Sequence, residues 1–231
     1  MCGRFSLKHT RTEIQEHFQT TLNGPLAPRY NIAPTQPVLI LRENPHTSDG
    51  LETTHVVWGL IPPWAEDIRI GSKMINARCE TAAEKPSFRH ALRRRRCVLP
   101  ASGFYEWETA ASGKKQPHYF YAADGAPLAL AGIWEIWDGP NGEQIESCAI
   151  LTTTANATLA ALHERMPVLI EPDAIPLWLD TRNEEYASIG RFMKPAPDSL
   201  LSSHAVSPAV NNVRNDSAAL VERYTPPDLF G

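Results

Sequence analysis

Met1-Cys2-Gly3-Arg4-Phe5 opens the chain, and Cys2 carries its most distinctive chemistry. Once the initiator methionine is removed, residue 2 presents an α-amine and a thiol on adjacent carbons. Such an amine titrates near pKa ~8 and a thiol near ~8.5, so both nucleophiles are partly available near neutrality. An aldehyde meeting this 1,2-aminothiol forms an imine, and the sulfur then closes a five-membered thiazolidine. An internal cysteine has no such route, because its nitrogen is tied up in an amide. The plain structural alternative is a small, half-buried thiol that happens to stand second.

Three further segments concentrate polar residues able to serve such a nucleophile. In Ile75-Asn76-Ala77-Arg78-Cys79-Glu80, an amide and a guanidinium two positions apart share a face if the segment is extended. Asn76 would orient a polar group and Arg78 would take a phosphate bidentately; an asparagine that ties down a loop is the ordinary alternative. In Gly103-Phe104-Tyr105-Glu106-Trp107-Glu108, a carboxylate lies inside an aromatic strand. If Glu106 points inward its pKa rises, which suits a general acid–base; if Tyr105 and Trp107 take the core, it faces water. In His163-Glu164-Arg165-Met166-Pro167, His163 follows Leu159 by one helical turn, as a hydrogen-bonded core histidine would. A helix C-terminus would also stabilise it as a cation able to donate a proton to a leaving oxygen. Gly3 permits close backbone approach beside Cys2, and Arg4 could hold an anion there.

The elements that position these residues are legible in outline. Thr10-Arg11-Thr12-Glu13 is a capping box, with Ile14 and Phe18 following on one helical face. Val38–Leu41 and Val56–Leu60 read as strands around the turn-rich stretch Asn44–Gly50. Ser87 is placed to cap a helix carrying Phe88 and Leu92. Strands are predicted over Cys97–Leu99, Phe104–Glu108, His118–Tyr121, Leu128–Trp134, Cys148–Thr153 and Val168–Ile170. Asn156 would cap a helix running through Leu159 and Leu162 toward Pro167, with helical segments around Leu177 and Tyr186 after it. Strands dominate without regular β-α alternation. The fold class expected is α+β: a single domain with a curved, largely antiparallel sheet or barrel-like core and flanking helices. The domain spans residues 1–231, with a core of about 2–214 and a C-terminal tail of about 215–231.

Composition narrows the functional classes. The chain has 231 residues, 42% hydrophobic and 21% charged, enough for a sizeable core. No apolar run approaches the roughly 20 residues a membrane span needs, and no signal peptide opens the chain, so cytoplasm is the expected compartment. Cys2, Cys79, Cys97 and Cys148 form no C-x-x-C pair, which argues against a zinc site or disulfide framework; no cofactor is expected. A net charge of −4 does not advertise a nucleic-acid binder. Arg89, His90 and Arg93–Arg96 nevertheless form a basic cluster downstream of Lys73, Arg78 and Lys85. It reads either as a local phosphate groove or as a solvated helix end.

Together with Arg29-Tyr30-Asn31-Ile32-Ala33-Pro34, Trp58-Gly59-Leu60-Ile61-Pro62 and Val206-Ser207-Pro208-Ala209-Val210-Asn211-Asn212-Val213-Arg214, these segments occur in a distinctive order. In this the chain resembles the SOS response-associated peptidase (SRAP) family, the abasic-site processing proteins, over nearly its whole length. The resemblance implies a protein of the DNA-damage response that crosslinks covalently to abasic sites in single-stranded DNA, including single-strand/double-strand junctions. It would act as a monomer and, in a bacterium, near the nucleoid. Cys2 is then the nucleophile, with Asn76, Glu106 and His163 completing the catalytic pocket, and peptidase-like self-removal of Met1 is also implied. The implied DNA contacts are Arg4, Arg78, Arg165, Thr152, Trp64, Trp107 and Arg214; Cys79 has no implied catalytic role. Two other readings compete: an N-terminal-nucleophile hydrolase of the amidotransferase or peptidase kind, in which the Cys2 α-amine acts as base, and a non-covalent DNA-binding module.

Overall fold

A computed structural model of the chain describes residues 2–44, 50–109, 113, 115–182 and 186–225. In chain order the strands are β1 (Phe5–Leu7), β2 (Arg29–Ile32), β3 (Pro37–Glu43), β4 (Leu51–Trp58), β5 (Asn76–Arg78), β6 (Arg96–Ala101), β7 (Gly103–Thr109), β8 (Lys115–Ala122), β9 (Leu128–Asp138), β10 (Gln144–Thr154), β11 (Arg165–Pro167) and β12 (Leu201–Ala205). The helices are short: α1 (Arg11–Phe18), α2 (Cys79–Ala82), α3 (Arg89–Arg94), α4 (Ala157–Ala160), α5 (Ile175–Leu179) and α6 (Tyr186–Gly190).

Two β layers build the molecule. Strands β10, β4, β3, β6 and β9 pair in that order, and β9 pairs back onto β10, closing a small barrel. Only the β4–β10 seam of this barrel is parallel. A second, antiparallel sheet runs β12-β8-β7-β1-β2. Phe5 of the sheet meets Trp58 of the barrel edge-on, with centroids 5.2 Å apart, and both side chains are buried. The barrel closes because β10 pairs with both β4 and β9. Residues Gln144–Ile150 pair with β9, whereas its last residues carry β5 on one side and β11 on the other. The α+β expectation of a curved, largely antiparallel, barrel-like core is thus met, with strands outweighing helices.

Local signals held where side chains close their own hydrogen bonds. Thr10 and Glu13 form the reciprocal capping box of α1, and Ile14 and Phe18 face the core. Asn156 caps α4 through its Oδ1. That helix ends at Ala160 rather than running through Leu162, because the Ala155 N–H bonds Glu164 O and residues 165–167 must be extended to pair with β10. The strand expected at Val168–Ile170 is therefore β11, three residues earlier. Val168–Ile170 itself forms only an isolated antiparallel bridge to β9, Leu169 opposite Leu130, with Val168 and Ile170 N–H donating to Leu151 O and Ala129 O and Ala131 N–H donating to Val168 O. Ser87 does not cap α3: the Lys85 carbonyl already accepts from Phe88 and Arg89, so the helix starts one residue later. Within the basic cluster, Arg93 and Arg94 are solvated, as the helix-end alternative expected. Arg96 is instead a core residue, its guanidinium spent on the carbonyls of Leu92, Arg93, Trp178 and Asp180.

Residues 45–49 of the expected Asn44–Gly50 turn lie outside the described residues. The segment expected as a tail is built into the fold as far as it is described. Asp216 pairs with Arg29, Leu220 is buried, and the Tyr224 N–H bonds Ala205 O. No helix among the described residues is long and apolar enough to cross a membrane.

One close approach governs the loop that carries Trp64. Gly59 has φ +131°, and a Cβ there would lie 2.6 Å from the Gly71 carbonyl oxygen. Backbone touches backbone, so neither side can yield as a flexible side chain would. Gly59→Ala is expected to destabilise the fold by about 3 kcal/mol, combining left-handed strain with overpacking. Denaturant titration checks this; an unchanged midpoint would show that the loop moves aside at no energetic penalty.

Candidate active site

The site begins with the position of β1 in the middle of its sheet. Phe5 pairs with both Ile32 and Phe104, and the Tyr105 N–H donates to Arg4 O at 2.9 Å. The chain is therefore still held as a strand three residues from its start, and Cys2 is fully buried, with 0% exposure. Asn76 reaches it from β5, donating from Nδ2 to the Cys2 carbonyl at 2.8 Å. The Asn76 Oδ1 is buried and has no hydrogen-bond partner among the described residues. Burial pushes the Cys2 thiol far above its ordinary value, and the Glu106 carboxylate adds to the rise. The thiol is neutral at physiological pH.

Glu106 points inward at 3% exposure. The sequence offered either an inward Glu106 or core-facing Tyr105 and Trp107, and the structure has both. On β7, Phe104 joins the main core, and alternation puts Glu106 on that same face. Tyr105 and Trp107 pack on the opposite face against Tyr119, Val206 and Val210, a second small core supplied by the late motif. Burial raises the Glu106 carboxyl above its ordinary value, favouring the protonated form.

His163 stands in the turn between α4 and β11. Its Nδ1 accepts from the Arg165 backbone N–H at 2.9 Å, so the neutral ring carries its proton on Nε2. Burial lowers its pKa, and the positive charge of the amino terminus adds to the effect. The expectation of a helix-stabilised cation is overturned, since four residues of α4 supply little dipole and the surroundings disfavour charge.

The residues expected on DNA divide into two groups. Arg78 and Arg214 are exposed, and their side chains make no hydrogen bond or ion pair among the described residues. Trp64 is 56% exposed. The other four are committed to the protein. Arg4 donates to Asn31 Oδ1 at 2.7 Å and Val210 O at 2.8 Å, with its guanidinium over Trp107. Trp107 gives its indole N–H to Asn211. Thr152 is fully buried. Arg165 is bidentate on Glu80, at 2.6 and 2.9 Å, and also reaches Thr152 O. Arg4 and Arg165 are thus both hydrogen-bonded within the protein.

Asn31 and Glu80 were quoted within motifs without a role, and the structure supplies one for each. Asn31 is buried and donates to the carbonyls of Val210, Asn212 and Asn215, docking the late motif onto β2. A lone amide in the apolar stretch Tyr30-Asn31-Ile32-Ala33 was the available signal. None of the four cysteines forms a disulfide among the described residues, and all four are buried. No group of three potential metal ligands occurs among the described residues.

The raised Glu106 pKa has a consequence for stability. A carboxyl whose folded pKa exceeds its unfolded value contributes stability that is complete below the unfolded pKa and lost as pH rises through the folded one. Glu106→Gln mimics the protonated form and escapes that loss. The variant is expected to melt above wild type at pH 8, the gap closing toward pH 4. Calorimetry across this range checks it; a gap that widens toward acid would mean the carboxylate is stabilising.

Residues 1–213 match the family described as SOS response associated peptidase (SRAP). The chain is 37% identical over 228 residues to the abasic site processing protein YoqW of Bacillus subtilis (strain 168), covering 97% of this chain and 100% of that one. It is 33% identical over 230 residues to the abasic site processing protein YedK of Escherichia coli (strain K12), covering 96% and 99%. A crystal structure of a protein from Bacteroides thetaiotaomicron shares the fold, with TM-score 0.85 at 24% identity over 97% of this chain and 100% of that one. With its buried Cys2 under the Asn76 amide and its full-length likeness to these proteins, the chain belongs to the SRAP family.

Proposed function

We propose that this chain processes abasic sites in single-stranded DNA, including those at single-strand/double-strand junctions, by crosslinking to them through Cys2. Its relatives YoqW and YedK are abasic site processing proteins. The observation that carries the reading is the Asn76 amide on the carbonyl of the fully buried Cys2. Removal of Met1, by the chain itself or by an aminopeptidase, frees the amine.

The chemistry follows from which groups are neutral. A buried, protonated thiol is a poor first nucleophile, whereas a freed α-amine titrates near pKa ~8. The amine attacks C1′ of the open-chain sugar, and the carbinolamine loses water to give an imine. The thiol then adds to the imine carbon, its proton passes to nitrogen, and a thiazolidine results with one water released overall. Glu106 in its protonated form and the Nε2–H of His163 are the candidate donors to departing oxygen. Asn76 restrains the Cys2 peptide in an attack geometry. Ring closure removes the imine, the electron sink that would drive β-elimination, so the DNA strand stays intact. A single strand is favoured because the damaged nucleotide must leave any stack to reach Cys2. Trp64 offers a stacking face, and Arg78 and Arg214 offer phosphate contacts.

Incubating Met1-processed protein with an oligonucleotide carrying one abasic site, then denaturing it, tests the reading. A heat-stable adduct is expected from wild type, none from Cys2→Ala, and at most a labile species from Cys2→Ser. A wild-type protein with a verified free amine and no adduct overturns it; glutamine hydrolysis in that preparation would favour the hydrolase alternative.

Arg78→Ala is expected to weaken binding of undamaged single strands and reduce the log–log salt slope by about 0.7, one phosphate contact. An unchanged slope in a fluorescence titration removes Arg78 from the DNA path.

A further inference from the structure

Strand β10 carries a different part of the site on each flank. On one side, Ile150 pairs with Asn76 and Thr152 with Arg78; on the other, Thr152 pairs with Pro167 and Thr154 with Arg165. The β5 strand runs straight into α2, whose first turn holds Glu80. The β11 strand begins two residues after His163. The Arg165 guanidinium crosses between them. Its Nη1 and Nη2 meet the two Glu80 oxygens at 2.6 and 2.9 Å, and Nη2 also bonds Thr152 O at 2.6 Å. The backbone N–H of this same Arg165 is the group that holds His163 Nδ1.

We propose that Glu80 is a positioning residue. Through its fork with Arg165 it ties the strand bearing Asn76 to the turn bearing His163, and it holds the imidazole with its proton on Nε2. The Arg165 side chain is 9% exposed, whereas the Glu80 side chain is 46% exposed. A guanidinium so enclosed does not tolerate loss of its carboxylate; it must move toward water or another acceptor, and its backbone moves with it. The bidentate geometry makes the tie directional, so charge alone does not replace it.

The kinetic arm of the test rests on the proposed abasic-site capture; the spectroscopic arm does not. Nitrogen-15 NMR of the histidine rings reads the His163 tautomer in the folded chain. Wild type is expected to show one neutral form, protonated at Nε2. Glu80→Gln and Arg165→Lys are expected to show mixed tautomers, and Glu80→Asp to return most of the wild-type pattern. In single-turnover capture, Glu80→Gln should slow the maximal rate on the order of tenfold or more, with half-saturating DNA changed less than about twofold. A folded Glu80→Gln or Arg165→Lys with unchanged tautomer overturns the proposal, as does a Glu80→Gln that alters only DNA affinity. If wild type forms no adduct, the functional reading fails while the tautomer measurement still decides the role of Glu80. If Glu80→Gln does not fold, Arg165→Lys carries both arms.

Discussion

The structure depends on an amino terminus that is an interior strand. Chain ends ordinarily fray unless they are tied into a sheet, and here the tie is made on both sides at once. Strand β1 is three residues long, yet β7 and β2 flank it, and Phe5 and Leu7 are buried. Burying those two side chains contributes about 1.5–3 kcal/mol each. The Ser6 hydroxyl adds a bond to Tyr119 OH at 2.8 Å. A residue that would otherwise sample many positions is thereby held against Asn76 and Glu106. The late motif serves the same end from outside: through Asn31 and Arg4 it closes over β2 and β7, covering the face of the sheet that Cys2 does not use.

Burial is the largest single influence on the titratable groups of the site. Desolvation raises Cys2 and Glu106 and lowers His163, and in each case the neutral form gains. The positively charged amino terminus opposes the rise at Glu106 and adds to the fall at His163. The full charges near the site sit at its margins, where Arg165 is matched by Glu80 and Arg78 faces solvent.

The parts legible in the sequence are those decided locally. The capping box at Thr10, the Asn156 cap, the strand runs and the second-position cysteine all follow from neighbours within a few residues. What escaped were features decided by the far side of the fold. Glu106 and Tyr105 are both buried because residues about a hundred positions downstream cover the outer face of β7, so alternation alone could not orient either one. His163 loses its expected charge because α4 stops after one turn to let β11 pair with β10. Arg96 sits in a run of four arginines, and only the distant carbonyls of Trp178 and Asp180 mark it as core. The motif order identified the family, but no motif revealed that Glu80 answers Arg165 across 85 positions.

The neutral thiol also explains why the proposed chemistry belongs to a terminal cysteine and to no other thiol in the chain. Cys79, Cys97 and Cys148 are buried and raised like Cys2, so thiol activation does not distinguish it. If sulfur had to attack first, burial would be a defect, because the thiolate is the reactive form. If nitrogen attacks first, burial becomes useful. The thiol waits uncharged beside the forming imine, closes the ring within one residue, and passes its proton directly to nitrogen. Suppressing the thiolate also keeps it from oxidation and from stray electrophiles. The order of bond formation is then set by the environment: the amine must come first, and only residue 2 of a processed chain has one.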